Sequence, residues 1–386
     1  MAGLFQAIVA AQAGLRVTLL EADDAPRGAS IRNFGLICAA TLPLSRHAEV
    51  VVARARWAEL LQRVGLTPQR TGTLFVAHTA RELEVLAQAG VLASAHERAQ
   101  LLEPTGARAL HGALGERCVG ALHLADDLRV PPRAAMHRGL QWLEGLPNVV
   151  VRRRARAIAC ERTAGGVRVT LADGSTLEAA HAVVATGREA MTPRLAGPAL
   201  ARTIDDPRAG ATPCRLQMLA VAAPAAAAGW PNIASPWSIR RYPLFGACDG
   251  LAALLDEPMD AALVARGIHV LIAWDPSAGW VIGDSHTYGE LAREHEHDEH
   301  TAALILREAA ALLHADVELR VHTRWSGVYA IPAAHERQRW TTVDERLHVL
   351  TPLGGSGMLA APALAEATIA AWFGERPGAA GSRAEG

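Results

Sequence analysis

The sequence predicts an α/β layer joined to a second domain built on an antiparallel sheet, on three observations. The chain opens with Met1-Ala2-Gly3-Leu4 running into an apolar helical pattern, then Gly14-Leu15-Arg16, then the strand Val17-Thr18-Leu19-Leu20 closing on Glu21. Further on, Val167 to Leu171 and Thr176 to Glu178 flank the turn Ala172-Asp173-Gly174-Ser175, and the apolar run His181 to Ala185 ends on Thr186-Gly187. Between 213 and 285 the residues alternate apolar and polar repeatedly, the period-two signature of half-buried strands. The opening stretch reads as the latter half of a Gly-x-Gly-x-x-Gly, helix, strand, acid fingerprint for dinucleotide binding. Gly3 takes the place of the third glycine and Glu21 that of the acid that holds a ribose. The first domain is therefore expected to be Rossmann-like with its first strand and two glycines missing, from a truncated N-terminus.

In chain order, residues 4–13 are expected to form the first helix and 16–21 the strand after it. A polar loop rich in Gly, Ser, Asn and Arg spans Asp23 to Gly35. Residues 46–64 carry Val, Ala, Trp and Leu at helical spacing, Thr71 to Ala77 alternates like a strand, and 80–90 and 96–111 read as short helices. Val149-Val150-Val151 reads as a short buried strand ahead of the hairpin. Leu216 to Val221, Ser238 to Tyr242, Gly267 to Ala273 and Trp280 to Gly283 read as strands of the antiparallel sheet. Residues 297–314 read as a helix, and the strand Leu347 to Leu350 leads through Gly354-Gly355-Ser356-Gly357 into a helix from about Pro362 to Phe373. The expected division is 1–70, 145–205 and 330–375 for the nucleotide-binding domain, 71–144 and 206–329 for the second domain, and 376–386 for a disordered tail.

Composition excludes several classes. With 38 basic and 39 acidic residues the net charge is −1, so no basic excess favours nucleic acid or an anionic membrane surface. Every basic residue is arginine; the absence of lysine rules out Schiff-base and lysine general-base mechanisms. The 5 cysteines are scattered without a C-x-x-C, which fits a reduced, cytoplasmic protein. The apolar start lacks the positive n-region of a secretory signal, and no apolar run is long and uncharged enough to span a bilayer.

Seven short motifs then occur in order: Gly28-Ala29-Ser30-Ile31-Arg32-Asn33-Phe34-Gly35, Leu128-Arg129-Val130 before Pro132-Arg133, Leu216-Gln217-Met218, Arg241-Tyr242-Pro243, Gly283-Asp284-Ser285-His286-Thr287-Tyr288-Gly289, Trp325 to Tyr329, and Gly354 to Met358. From Gly3 to about Phe373 this series resembles the glycine oxidase, sarcosine oxidase and D-amino acid oxidase superfamily of FAD enzymes. It is most similar to a bacterial subfamily associated with aminophosphonate catabolism. The resemblance implies FAD as cofactor, a small-molecule amine substrate, and oxygen or another electron acceptor. The implied reaction is oxidative deamination by hydride transfer to flavin N5.

The resemblance also implies site residues. Gly3 would place the first helix by the pyrophosphate and Glu21 would hold the adenosine ribose. Ser30, Arg32 and Asn33 would run under the pyrophosphate and the flavin edge. Gly187 would close the strand that returns to the nucleotide-binding sheet. Gly354, Gly355, Ser356, Gly357 and Met358 would turn backbone amides toward the flavin pyrimidine ring.

Amino acid oxidases clamp the substrate carboxylate with an arginine in Gly-x-Arg-Pro, where this chain has Gly327-Val328-Tyr329-Ala330; the second arginine of glycine oxidase falls at about Gly355. Both clamps are lost, so a plain α-amino acid is disfavoured. Arg241, on an expected strand, and Arg32 are the replacement cations, and arginine's planar fork suits a phosphonate. His269, His286, Tyr242 and Tyr329 are the expected pocket-lining catalytic groups, with a histidine tuning the amine's protonation.

Bland readings stand beside these: an ordinary helix glycine at Gly3, a surface acid at Glu21, a solvated turn at 30–33, a surface arginine at Arg241, structural histidines. The run Glu294 to His300 lacks H-E-x-x-H and reads as a solvated helix entry, so no metal is expected. Three other functions remain open. One is a flavoenzyme for a secondary amine, an amino acid or a 2-hydroxy acid. Another is a nicotinamide dehydrogenase, since Glu21 fits NAD as well. The third is a truncated, non-catalytic product with impaired FAD binding.

Overall fold

A computed structural model describes residues 1–187, 211–289, 297–331, 340–350 and 353–374. They divide into two compact units, one of Met1–Ser30, Met136–Thr212 and Ala330–Gly386, the other of Ile31–Ala135 and Pro213–Tyr329.

In the first unit the helix Ala2–Gln12 is apolar around its whole circumference, burying Leu4, Phe5, Ile8 and Val9, as an interior helix must. It ends where Gly14 takes φ +79°, the left-handed stop that glycine adopts without strain. The strand Val17–Leu20 then runs parallel to Val149–Arg152. Asn148 ties the two together, its amide donating to the carbonyls of Ala11 and Leu15 at 2.9 Å each. Among the described residues Val149–Arg152 pairs on one side only, and Val150 is 54% exposed, so it is not the fully buried strand expected.

A second parallel pair joins Ala182–Val184 to Leu347–Leu350. The hairpin Gly166–Leu171/Thr176–Ala179 forms as expected, its turn held by the Ser175 amide donating to Asp173 Oδ1 at 2.9 Å. Ala157–Thr163 adds a third strand beside it. The C-terminal helix begins at Gly357, earlier than expected. Pro362 lies within it, where it deletes one backbone hydrogen bond without ending the helix, because apolar burial on both sides holds the turn. Gln6 of the first helix donates to Thr368 of this last one at 3.1 Å.

The second unit is built on a nine-stranded sheet. Its order runs Thr287–Tyr288, Thr212–Val221, Gly279–Gly283, Leu271–Asp275, Asn232–Ala234, Thr73–Ala77, Gly120–Leu124, Ala99–Leu102, and Val321–Ile331 also pairs with Thr212–Val221. All these pairs are antiparallel in register except Asn232–Ala234 with Thr73–Ala77, which is parallel, so far as registers are described. Leu74, Ile233, Ile272 and Ile282 of the sheet pack with Leu304, Ile305 and Ala309 of the helix Glu299–Leu312. Thr79 and Glu82 close a reciprocal capping box on the helix Ala80–Ala93, worth about 1 kcal/mol.

Residues 31–70, grouped by sequence with the nucleotide-binding domain, pack in this second unit. Leu36–Ile37 pairs with Leu128–Arg129, and Arg54 of the helix His47–Arg63 reaches Glu97 at 2.7 Å and Asp127 at 2.9 Å. Gly35 makes that approach possible: a Cβ there would meet the Val130 carbonyl oxygen at 1.8 Å.

Three local expectations fail in this unit. Residues 96–111 form the strand Ala99–Leu102 and the helix Pro104–Leu110, because Pro104 starts a helix but cannot continue one. Ser238 to Tyr242 is not a strand. It holds the end of the short helix Pro236–Ile239 and a turn, with Pro236 setting the helix start and Pro243 opening the next turn. The strand expected over Gly267 to Ala273 begins at Leu271, which leaves His269 just ahead of it. No helix among the described residues is long and apolar enough to cross a membrane.

Candidate active site

The first unit carries the features expected to receive a dinucleotide. The helices Ala2–Gln12 and Gly357–Phe373 both begin without a side-chain cap and without an acid in the first turn, so the positive end of each dipole is open to an anion. Gly3 lies against strand Ala182–Val184: a Cβ there would stand 3.4 Å from Ala185 Cβ. Glu21 follows strand Val17–Leu20, near enough for its charge to act on the Met1 amine, and accepts the Asp23 amide at 3.1 Å. Ser30 accepts from the Met1 amine at 2.9 Å. Gly187 and Gly354 hold positive φ at +59° and +58°, and Ser356 donates to the Leu353 carbonyl at 3.1 Å, tightening the turn Gly354–Ser356 ahead of Met358. This set of glycines, uncapped helix ends and strand-terminal acid fits FAD, the cofactor implied by the sequence motifs.

Arg32 and Asn33 belong to the second unit. Asn33 accepts the Gly35 amide at 2.7 Å, shaping the turn. Arg32 donates to the Ser326 carbonyl at 2.7 Å and accepts through its own carbonyl from Trp325 at 3.3 Å, which anchors it to the strand Val321–Ile331.

The second unit gathers five of the sequence-predicted residues around one buried acid. The ring of Tyr242 stands 5.5 Å from that of His269, edge to face, and the rings of His269 and His286 stack at 5.3 Å. Between the histidines is Asp284, whose Oδ1 is 3.5 Å from His269 Nε2 and 3.9 Å from His286 Nδ1. Backbone pairing brings them together: the His269 amide donates to the Asp284 carbonyl at 3.3 Å and the Asp284 amide returns a bond at 3.1 Å.

Ser238 is hydrogen-bonded to His269 Nδ1 at 3.1 Å, and His286 Nδ1 donates to the Gly267 carbonyl at 2.9 Å. Arg241 is exposed at the turn, hydrogen-bonded to Tyr288, and its charge acts on His269, Asp284 and His286. Tyr329 bonds with Cys214 across paired strands. The turn conformation, and not a strand, aims Arg241 here: its amide bonds back to the Ser238 carbonyl at 3.1 Å.

Burial governs the protonation states. It depresses both histidines, with the Arg241 charge adding to it, and takes His286 down to about 3, so both imidazoles are neutral at physiological pH. Burial lifts the Asp284 carboxyl to about 7 against the opposing pull of Arg241. It also raises Tyr242 and Tyr329, so both phenols stay protonated. Arg241 stays charged: although its surface is partly open, the surrounding protein partly desolvates it, and Tyr288, Asp284 and Tyr329 outweigh that effect.

Donor atoms of His269, Asp284 and His286 lie within 4.8 Å of one another, close enough to raise the question of a metal. Electrostatics count against it: the cationic Arg241 acts on all three groups and opposes a second positive charge among them. Of the run Glu294 to His300, residues 294–296 lie outside the described residues. Asp298 caps the helix Glu299–Leu312 by accepting from the His300 and Thr301 amides.

Asp284 was absent from the sequence-predicted site although the Gly283 to Gly289 motif contains it. The available signal was a charged residue ending an otherwise apolar strand, Trp280 to Gly283.

The sequence profile of the family described as DAO, FAD dependent oxidoreductase, matches residues 1–371. Among solved structures, glycine oxidase from Bacillus cereus ATCC 14579 aligns with a TM-score of 0.74 at 17% identity, over 97% of this chain and 92% of that one. L-amino acid deaminase from Proteus vulgaris aligns with a TM-score of 0.73 at 16% identity, over 97% and 91%. Glycine oxidase from Geobacillus kaustophilus aligns with a TM-score of 0.70 at 18% identity, over 94% and 89%. At these identities the likeness shows a shared fold. No curated protein matches the chain. With residues 1–371 of the 386 matched, the chain belongs to the DAO family of FAD-dependent oxidoreductases.

Proposed function

We propose that the protein oxidatively deaminates a small amine carrying an acidic group, an aminophosphonate such as a 2-aminoethylphosphonate relative. The observation that carries this reading is the second unit's cluster: an arginine, Arg241, beside a buried acid and two neutral histidines, with Tyr329 in place of the family's carboxylate-clamping arginine. The solved neighbours include glycine oxidase, L-amino acid deaminase and iminodiacetate oxidase, which supports a C–N substrate.

Gly3, Glu21, Ser30, Gly187 and the turn Gly354 to Met358 would hold FAD, with Arg32 and Asn33 as further contacts. Bound FAD supplies a hydride acceptor for the carbon that bears nitrogen, after which the imine hydrolyses to a carbonyl. The chain's own residues do the rest. Arg241 binds the anionic end with its fork, and the Tyr288 hydrogen bond orients it. Neutral His269, held by Ser238, and protonated Tyr242 wall the amine end, and Tyr329 and His286 line it further. The electron acceptor is oxygen or another oxidant. Five buried thiols without a disulfide support a cytoplasmic setting.

A screen of the flavin-loaded protein decides the substrate class, reading peroxide release and dye reduction with aminophosphonates, N-methylated amines, amino acids and 2-hydroxy acids. Aminophosphonates are expected to react best. Turnover confined to α-amino or 2-hydroxy carboxylates sinks the phosphonate reading.

A further inference from the structure

Asp284 is 6% exposed, and its Oδ1 is closed to solvent with no hydrogen-bond partner among the described residues. A buried acceptor left unfilled is costly, and an active site keeps one where a ligand fills it. The groups around it leave it open. His269 Nε2 at 3.5 Å and His286 Nδ1 at 3.9 Å are too far to bond, and the latter donates to Gly267 instead. Arg241 is turned to Tyr288, while Tyr242, Tyr329 and Cys214 feel the carboxyl's charge and carry none of their own. The side chain as a whole retains 9% of its surface open.

We propose that Asp284 receives the substrate's ammonium group and takes its proton, while Arg241 holds the acidic end of the same molecule; this rests on the deamination reading above. A zwitterion brings each residue its counter-charge at once, whereas a metal ion would bring none to Arg241. In the transfer one N–H bond of the ammonium breaks, its electron pair stays on nitrogen, and a carboxylate oxygen of Asp284 forms the new O–H bond. The freed lone pair is what allows hydride to leave the neighbouring carbon. Burial holding the carboxyl at about 7 matches this acid to proton transfer near neutral pH.

The test uses the flavin-loaded protein with 2-aminoethylphosphonate and follows anaerobic flavin reduction across pH in the wild type and in Asp284→Asn. The wild-type rate is expected to be level above about pH 7 and to fall below it. Asp284→Asn should be slower by about 10²–10⁴-fold at neutral pH and recover at high pH, where the substrate amine loses its proton to water. Binding gives a second readout. Asp284→Asn should weaken 2-aminoethylphosphonate about tenfold and leave ethylphosphonate, which lacks the amine, unchanged, while Arg241→Ala weakens both.

A wild-type rate that climbs with pH all the way to the substrate's own amine pKa overturns the proposal without any variant. So does an Asp284→Asn protein with the wild-type profile; amine oxidation itself would then stand. Flavin reduction by 2-hydroxy acids and by no amine removes the deamination reading and this proposal together.

Discussion

Asp275 and Asp284 lie at opposite ends of one β-hairpin, Leu271–Asp275 with Gly279–Gly283, and are buried alike at 7% and 6% exposure. At the turn end, Asp275 meets Arg129 at 2.6 Å and accepts from the Ser277 amide and hydroxyl. Burial pushes its carboxyl up, yet Arg129 and Ser277 outweigh burial and hold it below the usual value. Burial also weighs on Arg129, which remains charged because arginine titrates far above the working range. At the open end, Asp284 has two neutral histidines and an arginine turned elsewhere, and its carboxyl rises to about 7. Similar exposure therefore accompanies opposite states. Burial raises both carboxyls, and it is the partners Arg129 and Ser277 that bring Asp275 back down to a structural anion.

The comparison breaks most readily at the paired end. Arg129→Met leaves Asp275 as an uncompensated buried charge and should cost about 3–5 kcal/mol. Thermal unfolding reads this as a Tm lower by roughly 4–6 °C; an unchanged Tm would mean that Asp275 does not depend on its arginine.

Asp284→Asn should act in the opposite direction. An acid whose folded pKa lies above its unfolded one contributes stability at low pH and loses it as pH rises from about 4 to about 7. The variant should therefore match the wild type near pH 4 and exceed it at pH 8 by on the order of 1–3 kcal/mol, seen in denaturant titrations at the two pH values. Equal gains at both would falsify the titrating carboxyl. For Asp275 the sign is reversed: its depressed pKa contributes stability above the unfolded value and loses it as pH falls through the folded one.

The smallest effect sharpens the point about distance. Arg307 and Asp260 also meet at 2.6 Å, but with 51% and 36% of their side chains exposed. Solvent screens such a pair, so Arg307→Ala should leave Tm within about 1 °C. A larger drop would show that separation alone sets an ion pair's worth in this fold.

The parts of the fold legible in the sequence were those with local signals. Residues 47–63 carry Val50, Ala53, Trp57, Leu60 and Leu61 on one helical face, and all five are buried. The Asp173-Gly174 turn specifies its hairpin in the same way. Ser238 to Tyr242, five residues of mixed polarity, satisfies both periods, and the prolines at 236 and 243 decide between them. At the site, His269, His286, Tyr242, Tyr329 and Arg241 were visible as residue types in motifs. Asp284 stands in the same motif, but only its surroundings reveal that it is buried and, among the described residues, unfilled.

By itself, the sequence determined the two kinds of layer, the glycine turns and the membership of an FAD-dependent family, because these depend on period, turn chemistry and motif order within short windows. Tertiary structure alone decided which ionisable groups matter. Arg129 reaches Asp275, and Arg241 acts on Asp284, across long stretches of chain. A carboxyl's protonation is set by what surrounds it in space, which no local pattern of residues records.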